Sequence, residues 1–411
     1  MSAWSGRCAP RIGASGKGDG LLIYLDNAAT SDPKPAEVIA AASACLGESN
    51  ANPGRGAHRR AVAAARIVYE ARVRLADLLG VDDPARLVFT AGCTDALHLA
   101  LHGLLGNEPG RVTCSSFEHN AVWRPLRDWA RRTGGLVLTV PPGPDGAPLD
   151  LRAFAAAARQ ARLCVLTHAS NVSGAILPVQ EAAVICRRCG IPLIVDAAQT
   201  AGHLPEAWGT LGAAVVTCSG HKGLLGPQGT GLLYVAPGID LVPVRLGGTG
   251  GNSEEDVPPP DMPERFEAGT LNTPGIAGLG AAAGVLRQVG LAARRSAETE
   301  ILGALLSGLE SIPGLRVVGP QSAAARTGCV SVTVDGWDPA RLAEVLDGRF
   351  GIATRAGLHC APLAHRTLGT FPGGTLRLSP GWKTTETEIE GSLRALDWLA
   401  RRREAEVCAS T

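Results

Sequence analysis

Features that would indicate a membrane or secreted protein are missing from this sequence of 411 residues. It contains no run of 18 or more apolar residues, so we predict no membrane-spanning helix. Residues 1–20 are rich in Gly and Ser and contain no apolar core. We therefore expect a flexible tail there and neither a signal peptide nor a membrane span.

An excess of charge of either sign is also missing. The sequence has 39 Lys and Arg residues against 38 Asp and Glu residues, which gives a formal net charge of +1. Such a balance gives no electrostatic support for nucleic acid or an anionic membrane as the main partner. Hydrophobic residues make up 45% of the chain, which excludes a disordered protein and allows two domains with a large core.

The 11 cysteines lack the regular spacing of a disulfide framework. We therefore expect a cytoplasmic protein whose thiols are mostly buried and inert. Cys186 and Cys189 form a C-x-x-C pair, but they lie in a helical pattern and no second pair accompanies them. We predict no metal site.

Apolar runs of strand length alternate with helical patterns through the first two thirds of the chain. The predicted strands are 86–90, 111–115, 136–140, 163–168, 191–196, 213–218 and 231–235, and the clearest predicted helices are 94–105, 120–133 and 177–189. This order predicts an α/β domain over residues 21–275 with a mainly parallel seven-stranded sheet covered on both faces. Ligands of such sheets bind beyond the carboxyl ends of the strands.

The last third of the chain has a different pattern. A loop rich in Gly, Pro and acidic residues is predicted at 247–263, followed by one long helical stretch at 276–309. The remaining predicted elements are strands at 315–318, 329–334 and 375–379 and helices at 339–350 and 385–403. This α+β pattern predicts a smaller C-terminal domain over residues 276–411, to which we expect the N-terminal segment of the large domain to contribute.

The strongest local signal is Lys222, which follows an apolar strand and precedes the glycine-rich stretch 226–231. A lysine among small residues at a strand end can be desolvated and lowered in pKa, as a Schiff-base lysine requires. Glycines let the backbone approach a flat cofactor closely. A solvated loop lysine is the alternative that this motif alone leaves open.

Three further segments at strand ends extend this signal. Asp196 ends an apolar strand and can pair with a pyridinium nitrogen, or it can cap a helix. The segment 90–95 lies between a strand and a helix, which suits a phosphate at a helix N-terminus or an ordinary cap. His119 supplies a flat imidazole ring, or it is a structural loop residue. Together with Lys222 they provide the parts of a pyridoxal-phosphate site.

The sequence resembles the class V, fold-type I pyridoxal-phosphate enzymes, and within them the cysteine desulfurase and selenocysteine lyase branch, from about residue 24 to about residue 399. The segments that carry the resemblance are YLDNAAT (24–30), EH (118–119), SN (170–171), DAAQ (196–199), SGHK (219–222) and RFEAGT (265–270). The set is specific, although no single member is. It implies pyridoxal 5′-phosphate as cofactor and a homodimer with shared active sites.

The resemblance implies a role for each matching residue. Lys222 would carry the cofactor and later move the Cα proton, while His119 would stack on the ring and assist proton transfer. Asp196 would face the pyridine nitrogen and Gln199 the phenolic oxygen. The residues that would bind at or near the phosphate are Cys93, Thr94, Ser219 and His221, with Thr270 reaching the phosphate of the partner subunit.

The substrate contacts are implied in the same way. Asn171 and Arg377 would hold the amino acid, with Arg377 forming a forked pair with its carboxylate. Without that role, a buried arginine in a sheet would need an acidic partner. Arg355 and Asn27 are further candidates for contacts with the substrate.

The segment 354–365 determines which reaction the resemblance implies, because desulfurases carry their nucleophilic cysteine there. Cys360 would attack the sulfur of L-cysteine and become a persulfide, alanine would leave, and a protein acceptor would collect the sulfur. Arg355 and His359 could favour the thiolate of Cys360. Leu358 departs from the pattern of many relatives, which carry a second histidine at this position.

Other functions remain open on the sequence. A selenocysteine lyase, another class V C–S lyase or an aminotransferase would share the cofactor site and differ in what Cys360 does. A non-catalytic sulfur-carrier scaffold is a remote alternative, which the presence of Lys222, Asp196, His119 and Arg377 disfavours.

Overall fold

A computed structural model describes residues 22–49, 51–54, 56–250 and 254–402, and the predicted tail at 1–20 lies outside these ranges. The strands are β1 (Ile23–Tyr24), β2 (Leu87–Thr90), β3 (Arg111–Ser115), β4 (Leu136–Val140), β5 (Leu163–Thr167), β6 (Leu193–Asp196), β7 (Val215–Ser219), β8 (Gly231–Val235), β9 (Leu315–Val318), β10 (Val330–Val334), β11 (Ile352–Ala353), β12 (Arg355–Gly357) and β13 (Thr375–Leu378). The α-helices are α1 (Ala36–Glu48), α2 (Arg59–Leu79), α3 (Cys93–Leu105), α4 (Asn120–Thr133), α5 (Leu151–Ala158), α6 (Val179–Cys189), α7 (Thr273–Val289), α8 (Leu291–Glu310), α9 (Pro339–Phe350), α10 (Pro362–Thr367) and α11 (Glu386–Ala400). Short 3₁₀ helices lie at Pro84–Arg86, Trp208–Thr210, Glu264–Phe266 and Ala323–Ala325.

A seven-stranded sheet in the order β2-β8-β7-β6-β5-β3-β4 forms the centre of the described chain. The strands from β7 to β4 pair in parallel, and β8 runs antiparallel to both of its neighbours. All seven predicted strands are confirmed to within two residues. They were recognisable because a strand covered by helices on both faces is apolar at nearly every position. The predicted α/β fold with a mostly parallel sheet is therefore confirmed.

A second sheet, in the order β12-β13-β10-β9, is antiparallel throughout. The N-terminal segment lies beside this sheet, because β1 pairs in parallel with β11 in a separate two-stranded sheet and Asp26 bridges to Ser379, the residue after β13. Leu25 lies in the same hydrophobic cluster as Leu376 and Leu378 of β13. The N-terminal segment therefore packs with the C-terminal part of the chain.

The prediction of one long helix at 276–309 is wrong. The structure has two helices, α7 and α8, which meet at Gly290 with a bend of 79°. Gly290 has a φ of 79°, a value that ends a helix and that a residue with a side chain rarely adopts. Ile276 and Leu279 of α7 pack in the core of the large sheet, whereas Leu302 of α8 packs in the C-terminal core. Packing thus favours a domain boundary near Gly290, and the division at 275 stays a prediction.

Four helices, α1, α2, α5 and α10, were not predicted from the sequence. The 21 residues of α2 carry recognisable signals, since the Nδ1 atom of His58 accepts a hydrogen bond from the Ala61 N–H group and Gly80 ends the helix with a φ of 62°. Its buried face consists mainly of alanines, which give a weak apolar period. A helix of this kind is therefore easily overlooked.

Over the described ranges, no individual helix has both the length and the apolarity that crossing a membrane requires. Helices α7 and α8, which are bent relative to each other, have the required length and apolarity only when they are taken together.

A buried ion pair covers the exposed edge of strand β2. Both Nη atoms of Arg72 donate to the carboxylate of Glu267 at 2.8 Å, and Oε1 of Glu267 also accepts from the Phe89 N–H group at 2.7 Å. Arg72 also donates to the carbonyl of Leu87, and its guanidinium lies 4.5 Å from the centroid of the Phe89 ring. An edge strand leaves such backbone groups unpaired, so this ion pair satisfies groups that would otherwise be buried without partners.

We expect Glu267→Gln to lower the stability of the protein by about 3–5 kcal/mol, because it leaves the buried Arg72 charge without its counter-ion. Thermal unfolding of the two proteins measures the difference. The control is Glu70→Gln, because Glu70 pairs with Arg66 in an exposed pair that contributes about 0–1 kcal/mol. Equal shifts in Tm for the two variants would contradict the assigned role.

Candidate active site

The predicted site residues follow the carboxyl ends of neighbouring parallel strands. His119 follows β3, Asn171 follows β5, Asp196 is the last residue of β6, and Lys222 follows β7. Parallel strands deliver their carboxyl ends to one edge of the sheet, so these side chains converge. Their proximity is also seen electrostatically, since the charges of Asp196 and Lys222 both act on the pKa of His119.

Lys222 lies in a desolvated position. Burial lowers the pKa of its ammonium group and the charge of Arg377 acts in the same direction, while Asp196 acts in the opposite direction. A lowered pKa raises the fraction of neutral amine, which is the form that attacks a carbonyl carbon.

Asp196 is buried at the end of β6, and no helix begins there. Its Oδ1 atom accepts from the Ala198 N–H group at 2.9 Å and from the Cys93 thiol at 3.3 Å. The sulfur of Cys93 also lies 3.4 Å from the Thr217 hydroxyl. Burial, followed by the charge of Asp196, raises the pKa of Cys93 well above its ordinary value, so Cys93 stays a thiol and donates to the carboxylate.

The N-terminus of α3 suits an anion. Gly92 occupies the N-cap position without any side-chain cap, so the N–H groups of the first helical turn are left for another acceptor. Thr94 is exposed in this turn. Nδ1 of His221 is buried and has no hydrogen-bond partner among the described residues. Burial lowers the pKa of His221 to about 4, so the neutral ring can offer a donor to a phosphate oxygen.

His119 caps helix α4. Its Nδ1 atom accepts from the Ala121 N–H group at 3.0 Å, so the neutral ring carries its proton on Nε2. Burial lowers the pKa of His119 to about 4, which keeps the ring uncharged at neutral pH. The amide of Gln199 donates to the Ala28 carbonyl at 3.1 Å and lies 3.7 Å from the Cys329 sulfur.

Glu118 was noted in the sequence only as part of the EH pair, and the structure gives it a distinct position. Its Oε1 atom accepts from the Ser115 hydroxyl at 2.5 Å and from the Thr167 N–H group at 2.9 Å. Complete burial raises the pKa of Glu118 to about 8. Glu118 is therefore largely a neutral acid at pH 7 that joins the ends of β3 and β5 beside His119.

Arg377 has an acidic partner within the chain. Its Nη2 atom lies 2.8 Å from Oδ1 of Asp26, and its Nη1 atom donates to the Asn171 carbonyl at 3.1 Å. Arg355 approaches the other Asp26 oxygen at 3.8 Å. Nε of Arg377 is buried, and within the described ranges it has no partner, so one donor remains for a ligand.

Two predicted site residues are not brought into this cluster by the contacts of one chain. The amide of Asn27 donates to the carbonyls of Tyr24 and Ser379 and accepts from the Asp32 N–H group, so its polar atoms serve the backbone. Thr270 is exposed and lines a separate cavity of about 1020 Å³.

Cys360 lies in a tight turn with an unfavourable backbone conformation. The turn is closed by a 2.8 Å hydrogen bond from Ala361 N–H to the Leu358 carbonyl, and both central residues have positive φ values, 47° for His359 and 56° for Cys360. A residue with a side chain is destabilised by about 1–2 kcal/mol in this left-handed region of backbone conformation. The Cys360 side chain is exposed.

Two hydrogen bonds hold this turn against the edge of the large sheet. The Asn171 amide donates to the His359 carbonyl at 2.7 Å, and the Asn120 N–H group donates to the Cys360 carbonyl at 2.7 Å. Both donors follow strands of the large sheet, so the turn is attached to the cluster that contains His119. Strained conformations persist where the surroundings fix them in this way, and they concentrate at functional sites.

His359 does not supply the positive charge that was expected to favour the thiolate of Cys360. Its ring nitrogen Nε2 lies 3.0 Å from the Thr375 hydroxyl, and burial lowers its pKa to about 2. The ring is therefore neutral, and Arg355, which is exposed, remains as the cation that was expected near Cys360.

The thiols of the described residues fit the expectation of mostly inert cysteines. Cys360 is exposed, Cys189 is partly exposed, and the remaining described cysteines are buried. No group of three or more His, Cys, Asp or Glu side chains in the described ranges is placed to hold a metal ion.

The family described as Aminotransferase class-V matches residues 23–391. The chain belongs to this family. It is 34% identical over 378 residues to a "Probable cysteine desulfurase" of Methanothermobacter thermautotrophicus, covering 90% of this chain and 92% of the relative. It is also 34% identical over 403 residues to "Probable cysteine desulfurase 2" of Mycobacterium leprae, covering 94% of each.

Solved structures show the same relationship. The apo structure of a cysteine desulfurase from Thermococcus onnurineus has a TM-score of 0.86 at 32% identity, covering 92% of this chain and 95% of that chain. The cysteine desulfurase CsdA of Escherichia coli has a TM-score of 0.80 at 27% identity, covering 91% and 94%. The family predicted from the sequence is thus confirmed, along with its fold.

The raised pKa of Glu118 has a consequence for stability. Because the folded protein binds this proton more tightly than the unfolded chain does, stability falls as the pH rises from about 4.5 through about 8. Glu118→Gln removes this loss, so the Tm of the variant relative to wild type should rise between pH 5 and pH 9, by the equivalent of a few kcal/mol. A Tm difference that stays constant over this pH range would show that Glu118 is ionised throughout. Glu390→Gln on the exposed face of α11 is the control.

Proposed function

We propose that this protein is a pyridoxal-phosphate-dependent cysteine desulfurase, which converts L-cysteine to L-alanine and retains the sulfur as a persulfide on Cys360. The observation that carries the proposal is the position of Cys360. Its exposed thiol sits in a strained turn that is hydrogen-bonded to the strand ends bearing His119 and Asn171. The relatives named as cysteine desulfurases over nearly the whole chain support it.

The chemistry of the site residues fits pyridoxal 5′-phosphate. Lys222 would hold the cofactor, Asp196 would face its ring nitrogen, Gln199 its phenolic oxygen, and His119 its ring face. Thr94, Ser219 and His221 would bind the phosphate, with Cys93 next to them, and the unpartnered Nδ1 atom of His221 supports this assignment. When bound, the cofactor supplies an electron sink for the negative charge that develops at the substrate Cα.

The remaining steps belong to the side chains of this chain. Arg377, through its unpartnered Nε, and Asn171 would bind the substrate carboxylate, with Arg355 as a further cation. The neutral amine of Lys222 would remove the Cα proton, and the uncharged His119 would assist. The thiolate of Cys360 would attack the substrate sulfur, forming an S–S bond while the Cβ–S bond breaks. The electron pair goes to Cβ, which takes up a proton, Lys222 returns a proton to Cα, and alanine leaves.

Alanine and sulfide formation from L-cysteine, with a thiol reductant present, tests the proposal. Wild type should form both products, and Cys360→Ala should lose both, because Cys360 is the thiol assigned to take the sulfur and the other cysteines in the described ranges are buried or only partly exposed. Cys189→Ala is the matched control. It should keep wild-type rates, since Cys189 is a partly exposed cysteine at the end of α6 and is not one of the proposed site residues. Equal turnover by wild type and Cys360→Ala would instead mean direct release of sulfide by a C–S lyase.

Mass spectrometry of the wild-type protein after one turnover should show 32 Da added to the peptide containing Cys360, the mass of one sulfur atom. Selenocysteine is tested in parallel, since a selenocysteine lyase would process it and leave cysteine unchanged. A protein that binds no cofactor and forms no product from either amino acid would support the scaffold alternative.

We further propose a cytoplasmic homodimer with shared sites, which passes its sulfur to a protein acceptor. Thr270 is exposed and lines a large cavity to which Lys222, Asp196 and His119 do not contribute. Large apolar side chains are exposed on the neighbouring helices α1 and α2, among them Ile39, Val62 and Tyr69. A second copy of the chain would cover these side chains and could use Thr270 at its own phosphate site.

Mixing two inactive variants tests the shared site. We expect Lys222→Ala and Thr270→Val to be weak or inactive alone. In a mixed dimer, one site receives Lys222 from one chain and Thr270 from the other, so alanine formation should recover to a sizeable fraction of wild type. If no activity returns although native mass spectrometry shows mixed dimers, Thr270 acts within its own chain.

A further inference from the structure

Lys222 lies between two peptide carbonyls that are both held by cationic side chains. The His221 carbonyl accepts from Nζ of Lys34 at 2.9 Å and from the Ser31 N–H group at 3.0 Å. The Gly223 carbonyl accepts from Nη1 of Arg294 at 2.5 Å. The backbone is therefore fixed on both sides of Lys222 by residues that are remote in sequence.

The Arg294 side chain is itself fixed. It is 6% exposed, its Nε atom donates to Glu298 at 2.7 Å, and the carboxylate of Glu298 also lies 3.0 Å from Nδ1 of His203. Burial would raise the pKa of Glu298, but His203 and Arg294 together hold that pKa at about 2. An ionised carboxylate thus orients the guanidinium toward Gly223.

The loop has no room to shift on this side. A β-carbon at Gly223 would overlap the Ala201 carbonyl and the His203 ring. Glycine is therefore required here by close packing against the segment that follows Asp196. The residues on both sides of Lys222, His221 and Gly223, are thus held by contacts with other segments of the chain.

The two cations come from parts of the chain that pack with the C-terminal core. Arg294 is in the first turns of α8, which contributes Leu302 and Leu305 to that core. Lys34 follows the N-terminal segment, whose Leu25 lies in the same core. The position of the Lys222 backbone is thereby coupled to the C-terminal core as well as to the large sheet.

We propose that Lys34 and Arg294 are positioning residues for Lys222, which fix its backbone from opposite sides so that its amine stays within reach of the reacting atoms. The inference rests on the proposed function in so far as Lys222 is the reactive lysine. Misplacement of a reacting group by about 1 Å can cost about 100-fold in rate, so a backbone fixed before and after Lys222 would favour catalysis.

The test uses the cofactor-loaded protein and the variants Arg294→Gln, Arg294→Lys and Lys34→Met. We expect the pH midpoint of the visible absorbance, which reports the Lys222–cofactor linkage, to shift by at least about half a unit in Arg294→Gln and Lys34→Met, because a displaced amine changes its distances to Asp196 and Arg377, whose charges act on its pKa. The kcat should fall about tenfold while KM changes less than twofold, and Arg294→Lys should restore part of both quantities.

Leu305→Ala on the same helix is the matched control, since it weakens the packing of α8 in the C-terminal core without contacting Gly223. If Arg294→Gln and Lys34→Met lower the Tm as Leu305→Ala does but leave the absorbance midpoint and kcat at the values of that control, the two cations are structural and the inference is wrong. If Arg294→Gln does not fold, the absorbance midpoint and kcat of Lys34→Met and Arg294→Lys test the inference in its place.

Failure of the proposed function gives a different result. If wild type binds the cofactor but forms no alanine from cysteine, the desulfurase assignment fails, while the absorbance midpoints of the variants still test the positioning of Lys222.

Discussion

Parallel pairing of β3, β5, β6 and β7 is the constraint on which the candidate site depends. Because parallel strands are joined by crossover helices, each strand delivers its carboxyl end to the same edge of the sheet. His119, Asn171, Asp196 and Lys222 are consequently brought together, although 103 residues separate the first from the last in the sequence. Asp196 ends its strand and the other three follow theirs by three or four residues, so the geometry of the site is set by the sheet.

Burial at that edge determines the charges of the side chains that converge there. It favours the neutral form of every group without a counter-ion, so it lowers the pKa values of Lys222 and His119 and raises that of Glu118. Arg377 forms an ion pair with Asp26 at 2.8 Å. The site therefore combines a lysine with a lowered pKa, an uncharged imidazole ring at His119 and the ion pair of Arg377 with Asp26, which suits the exchange of protons near neutral pH.

Local sequence signals predicted the strands and the order of the site residues, but not the contacts between distant segments. The seven strands were visible as apolar runs, and Lys222 and Asp196 were recognisable because each stands at a strand end. The Asp26–Arg377 pair joins residues 351 positions apart, and the contact of Arg294 with Gly223 spans 71 positions, so no local pattern reports either. The neutral state of His359 depends on burial, which is a property of the folded protein.

The turn at Cys360 shows how the two parts of the chain depend on each other. Its residues belong to the C-terminal segment, yet the two hydrogen bonds that attach its strained backbone come from residues that follow strands of the large sheet. Asn171 provides one of them through its side chain, while its carbonyl accepts from Arg377. A substrate carboxylate that engages Asn171 and Arg377 would therefore contact the same residue that holds the cysteine turn. Binding of an amino acid there and placement of the thiol would then be linked through Asn171, which already joins Arg377 and the cysteine turn by hydrogen bonds.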